Sequence, residues 1–125
     1  MIYYPPMQNH ILIQKFEALA FLITALVVYY LIGASWWLFI ALLLLPDIFM
    51  LGYIKNTKVG AFVYNIGHTY IAPFLLLAVF YIFSIPLLLP ISIIWFAHIS
   101  LDRVFGYGLK LDTNFKDTHL GHVKK

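Results

Sequence analysis

Two long uncharged stretches organise this chain. No Asp, Glu, Lys or Arg lies between Glu17 and Asp47, and none lies from Val59 to Leu101. One helix needs about 20 apolar residues to cross a bilayer, so the second stretch, of 43 residues, is long enough for two spans and a tight turn. The first stretch breaks at Gly33-Ala34-Ser35, where glycine can end one helix and serine can cap the next. The second breaks at Ser84-Ile85-Pro86, because proline disfavours helix continuation. The pattern predicts an all-α, polytopic membrane protein with four transmembrane helices, arranged as two hairpins in a bundle. Their expected bounds are about 15–32, 36–54, 60–83 and 87–106, in a single domain 1–125 with a short tail at 107–125.

Composition agrees with this pattern. Charged residues make up 10% of the chain, against about 25% in a soluble domain, and hydrophobic residues 63%. So few charges cannot cover a surface in contact with water, which makes the lipid bilayer the expected solvent. Cysteine is absent, which excludes disulfides and thiolate metal sites. The net charge of +3 is too small to suggest a nucleic-acid partner. The first apolar stretch lacks a small-residue cleavage exit and leads into more apolar sequence, unlike a signal peptide.

The cations give an orientation. Lys15 precedes the first span, and Lys55 and Lys58 fill the middle loop. Arg103, Lys110, Lys116, Lys124 and Lys125 follow the last span, while both hairpin turns are uncharged. With four spans these three segments share one side, and the positive-inside rule makes it the cytoplasm. The expectation is a multi-pass inner-membrane protein with both termini cytoplasmic. Trp36 and Trp37 would then occupy the opposite interface.

Ionisable residues inside apolar spans suggest function, because lipid solvates them poorly. Glu17, Asp47, His68, His98 and Asp102 qualify, with Asn65 as a neutral companion. All fall in the cytoplasmic half of the expected spans. His98 and Asp102 are i, i+4 and share a helix face, and Asn65 and His68 are i, i+3. Pro46, just before Asp47, removes a backbone donor, kinks the helix and exposes carbonyls nearby. A four-helix bundle can turn Asp47, His68, His98 and Asp102 inward together. Two imidazoles and two carboxylates suit a divalent metal ion, with zinc or manganese first and iron as a further choice.

Plainer roles stand beside these. Glu17 can sit among headgroups and pair with Lys15 or Arg103. Asp102 can pair with Arg103 at a helix end, although adjacent helical residues point about 100° apart. A single intramembrane histidine is often a packing residue. The Phe and Tyr residues face lipid or pack, and Gly52, Gly60 and Gly67 permit close helix approach. In the tail, Asp117 and His119 could cover the site mouth as extra ligands or a base, or belong to a solvated segment.

The segments Leu45–Tyr53, Tyr64–Tyr70, Ala97–Lys110 and Phe115–Gly121 resemble the hallmarks of domain of unknown function 4260, an uncharacterised family of bacterial integral membrane proteins. The resemblance runs from about Lys15 to Gly121 and implies no settled activity. More distantly, Pro46-Asp47, His68-Thr69 and His98-x-x-x-Asp102 resemble, in order, motifs of the YdjM-like membrane metal-dependent hydrolases. Three elements of that pattern differ. A second acidic residue after Asp47 is absent, Tyr64 or Asn65 stands where a second histidine is expected, and only Glu17 represents a first-helix histidine. The pattern therefore leaves a single-metal site or a metal-free descendant in place of a two-metal site.

If the protein is an enzyme, the reading is hydrolysis of a lipid-linked or amphipathic ester or phosphoester at the cytoplasmic leaflet. His68, His98 and Asp102 would be ligands, and Asp47 a fourth ligand or the base. Asn65 and Arg103 would orient a substrate anion. The alternatives are an ion or metal path through a homo-oligomer, a haem held by His68 and His98, and a structural subunit. No serine or cysteine nucleophile motif and no phosphate-binding glycine loop occurs.

Overall fold

The computed structural model describes residues 9–47 and 55–106, and the backbone alone of 117–118 and 121–122. Helix α1 runs Asn9–Ile32, α2 Trp36–Leu42, α3 Thr57–His68, α4 Ile71–Phe83 and α5 Leu88–Val104. Strands β1 (Asp117–Thr118) and β2 (Gly121–His122) form a two-residue antiparallel ladder. The described chain is otherwise helical.

Both expected turns are present, each built by a residue in the left-handed region. Gly33, at φ +71°, ends α1. Ser35 opens α2, its hydroxyl accepting from the Leu38 amide at 3.5 Å. The Tyr29 hydroxyl locks this corner by donating to the Ser35 carbonyl at 2.5 Å. At the other hairpin Ser84 takes φ +54°, and its amide donates to the Phe80 carbonyl at 2.7 Å.

Helix α5 is the hub. Pro90, Ser92, Ile93, Ile94, Ala97, His98, Ile99 and Ser100 are all buried, so nearly every face of its middle is covered. Its small residues Ser92, Ala97 and Ser100 let neighbours approach closely. Helices α1, α2 and α4 pack on it, and α3 packs on α4. The core gathers Ala25 and Tyr29 of α1, Phe39 of α2, and Ile93, Ile94 and Ala97 of α5.

The outer surface is apolar. Only Ala18, Ala25 and Tyr29 of α1 are buried, while Phe21, Ile23, Val27, Tyr30 and Leu31 are exposed. Water-soluble monomers rarely expose contiguous patches of this kind. At 24 residues α1 is long and apolar enough to cross a membrane, and α3 and α4 are so only jointly, as a pair bent by 45°.

Two expected helices are corrected, and proline explains both. The helix expected at 36–54 stops at Leu42 and continues through a turn into a 3₁₀ segment at 45–47; residues 48–54 lie outside the described residues. Leu42 is four residues before Pro46, whose ring would collide with the Leu42 carbonyl and which has no amide to donate to it. The helix expected at 60–83 is two helices, broken at Thr69 (φ −98°, ψ 146°). Thr69 is four residues before Pro73. The first helix also starts earlier than expected, at Asn9, since Lys15 marks an apolar boundary rather than a helix end.

Candidate metal centre

The two proline breaks release backbone carbonyls, and α5 side chains occupy them. In an unbroken helix the Leu43 carbonyl would receive the Asp47 amide. That amide instead donates to the Leu44 carbonyl at 3.0 Å. The Leu43 carbonyl accepts from His98 Nδ1 at 2.6 Å. After α3, the Ile71 amide turns to Thr69 Oγ1 at 3.2 Å and the Ala72 amide to the Thr69 carbonyl at 3.3 Å. The carbonyls of Gly67 and His68 are thereby freed. Trp95 Nε1 donates to the first at 2.6 Å and Arg103 Nη2 to the second at 3.3 Å. Three main-chain acceptors thus fasten α2 and α3 to α5.

These fastenings orient two imidazoles. His98 donates through Nδ1 to the Leu43 carbonyl, and His68 through Nδ1 to the Tyr64 carbonyl at 2.9 Å. A carbonyl oxygen only accepts, so the Nδ1 atoms carry protons, and in the neutral imidazole each Nε2 presents a lone pair. The Tyr64 ring lies parallel to the His68 ring, centroids 3.7 Å apart, and fixes its plane. Both histidines are buried.

The Nε2 atoms face each other at 3.1 Å. Asp47 Oδ1 lies 3.1 Å from His68 Nε2 and 3.2 Å from His98 Nε2. Asp102 Oδ2 lies 3.6 Å and 3.2 Å from the same two atoms. All four ligand atoms fall within 4.8 Å of one another. Metal–ligand bonds of about 2.0–2.1 Å put the corners of a tetrahedron about 3.3–3.4 Å apart. The observed separations bracket that value, and two imidazoles that face each other through Nε2 need a proton or a cation between them. The cluster could therefore hold a metal ion. Each histidine already has the main-chain partner on its other nitrogen that metal-bound imidazoles use. Asp47 is the more accessible carboxylate, its side chain 38% exposed against 20% for Asp102.

The remaining expected residues lie around this centre. Asn65 is half-buried on α3, one turn before His68. Arg103 is half-buried, with its guanidinium 5.3 Å from the centroid of the Tyr70 ring. Glu17 is exposed on α1, outside the cluster, and lines a cavity with Arg103. Asp117 is placed by its backbone only, in β1, and His119 lies outside the described residues. The sequence reading missed Tyr64 and Trp95 as supports. Their signal was spacing: Tyr64 is i, i+4 with His68, and Trp95 lies one turn before His98.

A family model described as Domain of unknown function (DUF4260) matches residues 11–123. No curated protein and no solved structure matches the chain, so the YdjM-like resemblance rests on its sequence motifs alone.

Proposed function

The chain belongs to that DUF4260 family, whose description names no activity, and from the site itself we propose a membrane-embedded, metal-dependent hydrolase acting on a lipid-linked or amphipathic ester or phosphoester at the cytoplasmic leaflet. One observation carries this reading. Two buried imidazoles, each anchored through Nδ1 to a main-chain carbonyl, turn their Nε2 atoms on each other at 3.1 Å, between two carboxylates.

In this proposal His68, His98 and Asp102 hold a single divalent ion, zinc or manganese, and Asp47 completes the set. A bound divalent ion lowers the pKa of water and polarises an ester oxygen. Asp47, the more exposed carboxylate, would take the proton of the attacking water and pass it to the leaving oxygen. Arg103 and Asn65 orient the substrate anion. The reading includes four spans, with α3–α4 as one bent span and both termini cytoplasmic, so the cluster opens toward the cytoplasmic leaflet. A homo-oligomer is compatible with it.

The haem alternative fits these residues poorly. Axial imidazoles stand on opposite faces of a macrocycle, whereas here both Nε2 atoms and two carboxylate oxygens share one small space. The test is elemental analysis of the detergent-purified protein, followed by ester and phosphodiester turnover. One ion per chain, lost in His98→Ala and Asp102→Ala, is the expected result. A metal-free wild type that still performs its cellular role would end the proposal.

A further inference from the structure

Helices α1 and α4 both pack on α5 and leave a furrow between them. Its two parts differ in chemistry. One end is a cavity of about 310 Å³ lined by Gln14, Glu17, Ala18, Phe21, Tyr70 and Arg103. The other is an apolar cavity of about 180 Å³ whose walls include Phe21, Thr24, Val28, Phe74 and Phe96. Phe21 lines both, so the polar end runs directly into the apolar one. On α1 the lining positions 14, 17, 18, 21, 24, 25 and 28 form one continuous helical stripe. From Gln14 to Val28 this stripe extends about 20 Å, at about 1.5 Å per residue. The hydrocarbon of one leaflet is about 15 Å deep, half of a core about 30 Å thick.

The polar end has the charges of a headgroup site. The Arg103 guanidinium makes one long bond, to the His68 carbonyl, and stacks over Tyr70. No carboxylate among the described residues comes within 4.0 Å of it. Among the described residues, four of its five donors have no protein partner and are available to an anion. Glu17 and Gln14 add an acceptor carboxylate and an amide on the opposite wall. The floor is aromatic, with Phe21 on Tyr70 at 5.3 Å and Phe74 edge-on to Phe96 at 4.7 Å.

We propose that this furrow binds one phospholipid-like amphiphile, with its phosphate on Arg103, a headgroup donor (ammonium or hydroxyl) on Glu17 and Gln14, and one acyl chain laid along Phe21, Phe74 and Phe96. Arg103 also holds the carbonyl of His68, which ties the polar end of the furrow to a residue of the cluster. As an assignment of substrate class this rests on the hydrolase reading; as a lipid site it stands apart from it.

The full chain is reconstituted in phosphatidylcholine vesicles containing a phosphatidylethanolamine with a mid-chain diazirine. Photolysis followed by peptide mapping should place adducts on residues 21–28 of α1 and on Phe74 and Phe96. Arg103→Gln should lower them about tenfold or more, the value of a charge-assisted hydrogen bond, and Arg103→Lys, which keeps the charge, should largely restore them. Glu17→Gln changes an exposed residue, so the fold stays intact, and it should erase the preference over a phosphatidylcholine carrying the same diazirine. A diazirine diacylglycerol, which lacks the headgroup, should give no enrichment in the furrow.

Adducts spread equally over the outward residues Ile23 and Leu31, or adducts insensitive to Arg103→Gln, would overturn the proposal. So would protein–protein cross-links through the furrow without lipid adducts, which would mean that a second copy fills it. Furrow adducts on a protein without metal or turnover would support the lipid site and remove the hydrolase reading. Metal and turnover without furrow adducts would do the reverse.

Discussion

Replacing Pro46 by alanine tests the idea that a helix break builds the metal site. Alanine restores an amide that can reach the Leu42 carbonyl and removes the ring that collides with it. The helix can then continue, and the Asp47 amide returns to the Leu43 carbonyl, which His98 Nδ1 now holds at 2.6 Å. A 3₁₀ helix rises about 2.0 Å per residue and an α-helix about 1.5 Å. Over residues 45–47 the conversion moves Asp47 along the axis by about 1.5 Å. Metal ligands tolerate about 0.2 Å. Losing the partner of one metal-bound histidine typically costs about 10–100-fold in metal affinity, which is about 1.4–2.7 kcal/mol. Pro46→Ala should therefore weaken zinc by at least that factor, read by competition with a fluorescent chelator on detergent-purified protein, while every ligand residue stays in place. Circular dichroism should show equal or greater helicity. If zinc affinity stays within twofold of wild type while His98→Ala abolishes binding, the link between the break and the site is wrong.

Other perturbations have equally definite outcomes. On the metal-centre proposal, Asp102→Asn should lose metal more completely than Asp47→Asn, because Asp102 is the more enclosed carboxylate; elemental analysis of both proteins decides it. Asp47→Asn should retain part of its metal and lose ester turnover, which single-turnover kinetics would separate from a binding defect. Tyr29→Phe removes the donor to the Ser35 carbonyl at the first hairpin and should cost about 1 kcal/mol, seen as a lower midpoint in thermal unfolding in detergent. Ser92 is fully buried on α5 and its hydroxyl finds no hydrogen-bond partner among the described residues. Ser92→Ala should thus leave the same midpoint unchanged or raise it, and a large drop would mean that the hydroxyl has a hidden partner.

Much of this arrangement is legible in the residues alone. Uncharged runs expose their own turns, since Gly33, Ser35, Ser84 and Pro86 are the residues that could end or start a helix there. The i, i+4 spacing of His98 and Asp102 fixes a shared face without tertiary knowledge. Pro46 announces a disturbance beside Asp47, although a kink was expected where the helix in fact ends. The break at Thr69 was not read, because Pro73 lies within the first turn of the next helix and looks tolerable in an apolar run. The partners of the histidine Nδ1 atoms could not be read either. They are backbone oxygens, which every residue carries, so no letter in the sequence distinguishes Leu43 or Tyr64 as an acceptor. Burial separated the rest: Glu17 stands at an apolar edge like the other candidates, yet it is exposed on α1 and reaches only the furrow.

The oxygen that steadies His98 belongs to a leucine. A polar side chain at position 43 would bring its own hydrogen-bonding demand into apolar packing, whereas the peptide group is present whatever the side chain. Swapping Leu43 for isoleucine or methionine should therefore leave the imidazole's anchor unchanged. Sensitivity migrates instead to an amide-less ring three positions downstream, which touches no ion itself. In oily chains of this kind, mutational scans that look only at residues bearing nitrogen or oxygen in their side chains would overlook the position that matters.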